Sequence, residues 1–192
     1  SLMKEISDQI IQVDTIKAAV EKRRTMVWYD RVSSYYDGLL QVANMQAFFT
    51  EHSAGFHTVE PHKIWAEYTS DYYRMDTYYR QFHLCFQRSL TVSNPLLDDL
   101  FKHVADKVEG LYSHWFLGSL GQNWSDACAE NLAEYGRVLE VPQQVDFYRS
   151  KVSHSENRIF VIISDAFRYE AAASLSEQLQ REMQCKVSLG SC

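Results

Sequence analysis

The chain has 192 residues, 46% apolar and 23% charged, the proportions of an ordinary globular protein long enough to bury a sizeable core. Its net charge of −6 argues against a broad nucleic-acid-binding face, and no stretch reaches the roughly 18 apolar residues of a membrane span. Cysteines at 85, 128, 185 and 192 lie far apart without C-x-x-C spacing. They read as reduced thiols of a cytoplasmic protein, neither a disulfide framework nor a zinc knuckle.

In chain order, residues 1–150 read as a helical region. A weakly amphipathic helix fits 15–28, with Ile16, Val20, Val27 and Trp28 apolar. Its Lys22-Arg23-Arg24 run reads as a solvated face, with DNA contact the minor alternative. A second helix fits 31–51, where Val32, Tyr35, Leu39, Val42, Met45 and Phe49 recur at three- and four-residue steps. After the Glu60-Pro61 turn signal, Trp65, Tyr68, Tyr72, Met75, Tyr79, Phe82 and Phe86 form a heptad-like seam of large side chains. Such a stripe is core far more often than a stacking platform for bases. Asp76 and Arg80 lie largely off it and can pair at i, i+4.

Asn94-Pro95 starts another helix, with the cap ahead of the proline. Its apolar face is Leu97, Leu100, Val104, Val108, Leu111 and Trp115, and Gly118 and Gly121 are expected to end it. A further helix covers about 125–138 and a short one opens at Pro142. The polar run 151–158 is the expected linker.

Beyond it the pattern changes. Ile159 to Ile163 is a five-residue apolar run, as in strands buried on both faces of a parallel sheet. A helix follows over 168–183, its face marked by Ala172, Leu175, Leu179 and Met183. Lys186 to Leu189 alternates as a shorter strand. The fold class is therefore mainly α: a bundle-like helical region followed by a βαβ unit over 159–192. Two parallel strands leave both sheet edges unpaired, so the sequence reads as the N-terminal part of a longer protein. Asp165 stands just past the first strand, where open α/β folds build ligand sites. From position alone it can ligate a cation, accept a phosphoryl group or cap the next helix.

The motif Ser-Asp-Ala-Phe-Arg-Tyr-Glu at 164–170 closely resembles the opening of the PglZ domain, a branch of the alkaline phosphatase superfamily. The segment 72–83, Tyr-Tyr-Arg-Met-Asp-Thr-Tyr-Tyr-Arg-Gln-Phe-His, resembles the helical region that precedes this domain in BREX phage-defence proteins. The resemblance implies an alkaline-phosphatase-like α/β domain truncated after its first βαβ unit. It implies a divalent metal (Zn, Mn or Mg) in the complete domain, Asp165 as a metal ligand, and a Thr or Ser nucleophile beyond Cys192. Arg168, Tyr169 and Glu170 belong to the motif. Arg168 can contact phosphate or pair with Glu170, whereas Tyr169 and Glu170 have no assigned role. One carboxylate holds no cation tightly, so this chain alone is expected to bind no metal and hydrolyse nothing.

Two readings of function remain foremost. One is a metal-dependent phosphatase or phosphodiesterase of phage defence, acting on a phosphorylated substrate of unknown identity. The other is a helical scaffold that docks other phage-defence proteins. A phosphoacceptor like receiver domains ranks last, because no strand precedes 159 to carry the acidic pair such domains need. There is no membrane or direct nucleic-acid partner in either leading reading. Gly-rich nucleotide loops are missing, and His52, His57 and His62 match no helical metal face.

Overall fold

A computed structural model describes residues 13–91, 94–182 and 185–191. Its helices are α1 (Val13–Arg24), α2 (Ser33–Glu51), α3 (Pro61–Glu67), α4 (Tyr73–Ser89), α5 (Pro95–Glu109), α6 (Gly118–Tyr135) and α7 (Tyr169–Glu182). π-Helical stretches at Tyr68–Tyr72 and Gly110–Leu117 join α3 to α4 and α5 to α6. The chain is thus mainly α, as expected.

Packing groups the chain into two compact units. The first takes the described residues of Ser1–His57 together with Arg74–Asn123, and the second takes Thr58–Tyr73 together with those of Trp124–Cys192.

The first unit is built on aromatic rings. Phe101 of α5, fully buried, meets Tyr35 at 5.4 Å, Phe82 at 5.3 Å and Phe86 at 5.5 Å between ring centroids. Its ring can reach α2 because residue 38 is glycine. A Cβ there would sit 2.5 Å from Phe101 Cζ. Phe48 and Phe56 close a second cluster with Trp115 and Phe116. Buried tyrosine hydroxyls find carboxylate acceptors: the Tyr35 hydroxyl donates to Asp98 at 2.8 Å. The Tyr112 hydroxyl donates to buried Asp76. Asn94 caps α5 by accepting from the Leu97 amide, with Pro95 next, as its sequence predicts.

The second unit has few buried apolar side chains, among them Ile64, Val141 and Ala173. Its contacts are ring edges and polar pairs. Trp65 lies 6.2 Å from Trp124 and donates its indole N–H to Ser191 Oγ at 2.9 Å. His62 meets Glu140 at 3.0 Å. Each unit holds one buried cysteine, Cys85 in the first and Cys128 in the second, while Cys185 is exposed. Burial raises the pKa of both buried thiols.

Several expectations need correction. Gly118 and Gly121 do not end a helix. Gly110 and Gly118 both adopt right-handed helical angles, and the backbone stays helical from Pro95 to Tyr135. A glycine stops a helix by turning left-handed, and without that turn it costs only about 1 kcal/mol of propensity. The seam from Trp65 to Phe86 is interrupted by the π-helical turn at Tyr68–Tyr72. Met75 and Phe82 of the seam are buried, and so are Asp76 and Cys85, which lie off it. Val27 and Trp28, expected on an inward face, are exposed.

No residue among those described is in a β-strand, so the βαβ unit is not seen. Residues 159–163 run outside any regular element, and Phe160, Ile162 and Ile163 are 83, 93 and 91% exposed. A strand is a paired object, and no described segment pairs with this one. Helix α7 buries Glu170, Ala173 and Ser176, and it leaves Leu175 outward. Met183 and Cys192 lie outside the described residues.

Candidate functional site

The motif at 164–170 divides into an outward and an inward half. Residues 164–168 are exposed, Tyr169 is half-buried and Glu170 is 1% exposed. The reversal is made by a turn at 165–166, in which Ala166 takes a left-handed φ of 53°. A side chain with a Cβ occupies that region only at a cost of about 1–2 kcal/mol, so surrounding contacts must hold it there.

Asp165 sits at this turn, on an open groove lined by Val161 to Arg168 on one side and by Gln144 and Phe147 on the other. It makes no hydrogen bond or ion pair among the described residues. Helix capping is therefore not its task here. α7 begins four residues later, and the Arg168 carbonyl accepts the amides of Ala171 and Ala172 at 3.1 and 3.0 Å.

Divalent cations such as Mg²⁺ and Ca²⁺ take several oxygen donors. The exposed Asp165 carboxylate has the right chemistry for one of them. No three His, Cys, Asp or Glu side chains come together among the described residues. The residues on hand thus fit a cation as a single ligand of a larger set.

Tyr169 and Glu170 turn the other way, into the second unit. The Tyr169 hydroxyl donates to the Thr69 carbonyl at 3.0 Å. Its ring stands 5.3 Å from Tyr73, edge-on, and 6.1 Å from Tyr68. Burial, with a smaller contribution from Tyr73, raises the pKa of this hydroxyl and keeps it a donor. Glu170 lies in the first turn of α7, the end of a helix that favours negative charge. Of the four motif residues, then, Asp165 and Arg168 face outward and Tyr169 and Glu170 anchor the helix behind them.

Sequence reasoning missed Thr69, Tyr68 and Tyr73 as the receptors of Tyr169, and Gln144 and Phe147 as the far wall of the groove. Tyr68 was visible in the stripe and Tyr73 was not, and the π-helical turn at Tyr68–Tyr72 leaves no periodic signal.

Residues 147–191 match the family model of the BREX system PglZ alkaline phosphatase-like domain. Over 191 residues the chain is 31% identical to the alkaline phosphatase-like protein PglZ of Bacillus cereus (strain H3081.97), covering 98% of this chain and 21% of that protein. It is 30% identical over 187 residues to the alkaline phosphatase-like protein BrxZ of Escherichia coli O9:H4 (strain HS), covering 93% of this chain and 21% of that one. The chain spans about a fifth of the length of these curated relatives. No solved structure matches it. Among the described residues, no helix is long and apolar enough to cross a membrane.

Proposed function

We propose, for a chain that belongs to the PglZ family, that it supplies the helical region and the first metal-ligating acid of a metal-dependent phosphatase or phosphodiesterase in phage defence. The observation that carries the reading is the placement of Asp165. It ends an apolar run, faces outward on a groove and, among the described residues, makes no hydrogen bond or ion pair. In the complete domain, residues 159–163 and 186–189 become neighbouring strands of a parallel sheet. Their apolar side chains, now exposed, are then covered on both faces.

A divalent cation bound there supplies charge to polarise a phosphate oxygen and to lower the pKa of an attacking hydroxyl. Within this chain Asp165 contributes one hard oxygen ligand. Arg168 stands beside it to contact the phosphate or to pair with Glu170. On this reading the nucleophile and the other ligands come from the part of the relatives' length that this chain does not span. Other proteins of the BREX system are the proposed partners.

The test uses the full-length protein with Zn²⁺, Mn²⁺ or Mg²⁺ and both phosphomonoester and phosphodiester substrates. Metal-dependent turnover that falls at least about tenfold in Asp165→Ala supports the reading. A folded protein without turnover under any metal favours the second reading. In that case the helical region is a docking scaffold, a role that the closed aromatic core of the first unit would suit.

A further inference from the structure

The turn that presents Asp165 contains a strained residue, Ala166. Strain of this kind persists only where neighbouring contacts impose it. On the N-terminal side of the turn, 159–163 are exposed and belong to no regular element. The regular element that adjoins the turn is on its C-terminal side, where α7 begins. There the first helical residue, Tyr169, is held by three partners within one unit: the Thr69 carbonyl and the rings of Tyr68 and Tyr73. Two of the three, Tyr68 and Thr69, lie in the π-helical turn, a feature that is rare and is found frequently at functional sites.

We propose that Tyr169 is a positioning residue for Asp165, tying the turn that carries the carboxylate to the helical segment Pro61–Tyr73. The proposal rests on the reading of Asp165 as a cation ligand, and it adds the element that aims that ligand. The helical region then does more than precede the α/β domain. Its π-helical turn is the surface against which the first acid of the site is set.

The experiment uses the full-length protein and two readouts besides turnover. These are amide hydrogen exchange over residues 164–168 and the affinity for Mn²⁺ alone by calorimetry, with thermal unfolding as a control. Tyr169→Phe keeps the ring and loses the bond to Thr69, and Tyr169→Leu loses both. Tyr169→Phe is expected to speed exchange by about five- to tenfold, the effect of one lost hydrogen bond on local opening. It should also weaken Mn²⁺ binding several-fold at an unchanged unfolding temperature, and Tyr169→Leu should exceed it on both counts. Asp165→Asn should abolish that Mn²⁺ binding and leave exchange as in wild type.

Wild-type exchange and wild-type affinity in Tyr169→Phe overturn the positioning role, whatever Asp165 does. Wild-type Mn²⁺ affinity in Asp165→Asn overturns instead the ligand reading on which the proposal rests. If Tyr169→Leu does not fold, Tyr169→Phe decides alone.

Discussion

The two units of this chain spend their apolar residues in opposite ways. In the first, Phe101 is buried against Tyr35 and Phe82, Phe116 against Phe48 and Phe56, and buried Asp76 accepts from the Tyr112 hydroxyl. In the second, the most apolar stretch of the sequence, 159–163, lies on the surface, and α7 points Leu175 away from its own unit. Helices and strands hide apolar side chains by different means. A helix satisfies its backbone internally and needs only a second helix to cover its stripe. A buried strand needs neighbours on both edges and layers on both faces before it can hide anything. The first unit covers its apolar rings from within, and the second leaves its most apolar run outward.

The sharpest way to break this contrast is to cut into the closed core. Phe101→Ala removes a fully buried ring with three aromatic neighbours and should cost about 3–5 kcal/mol in urea or thermal unfolding. A loss below 1 kcal/mol would mean that the first unit is not tightly packed. Gly38→Ala probes the same core from the other side. The added methyl would stand 2.5 Å from Phe101 Cζ, so the ring must shift, at a cost of about 1–3 kcal/mol.

Alkaline pH probes both units without mutation, since burial pushes Tyr35 of the first and Tyr72 of the second each up to about 12. Burial, then the bond to Asp98, pushes the Tyr35 pKa up to about 12. A tyrosine whose folded pKa lies above its ordinary value of 10 stabilises the fold fully below pH 10. That contribution is lost as pH rises toward 12. Tyrosinate absorbance should show Tyr35 titrating late, and stability of the first unit should decline across that window.

The smallest effect is expected in the second unit. Ile162→Ala, at a position 93% exposed, should change stability by no more than about 0.5 kcal/mol while reducing the binding of an apolar dye. A large loss of stability would show that the apolar run is already covered.

Sequence patterns disclosed most of the helices because their caps and stripes are local. Asn94-Pro95 opens α5 where expected, and of the apolar positions expected in α2 Tyr35, Leu39, Val42 and Met45 are inward, whereas Phe49 is exposed and Phe48 buried in its place. The errors arise where a non-local contact or a rare backbone state decides. Periodicity cannot see a π-helical turn, and one interrupts the Trp65–Phe86 seam at Tyr68–Tyr72. Gly118 looks like a stop, yet the turn before it keeps the chain helical. Asp76 reads as surface because its partner, Tyr112, is 36 residues away.

The candidate site was legible in part. A carboxylate after an apolar run has a recognisable place in α/β architecture, and Asp165 is exposed on a groove. The inward half of the motif was not legible. Nothing in Tyr169 or Glu170 states which surface receives them, and that surface lies a hundred residues earlier.

The buried cysteines give the two units separate clocks. Thiol reagents attack the thiolate, and burial both shields Cys85 and Cys128 and raises their pKa, so neither reacts until its surroundings open. Cys85 lies among the aromatic rings of the first unit and Cys128 in the second. After the exposed Cys185 is blocked, the labelling rates of these two thiols, resolved by peptide mass, report how often each half of the chain unfolds in the native protein.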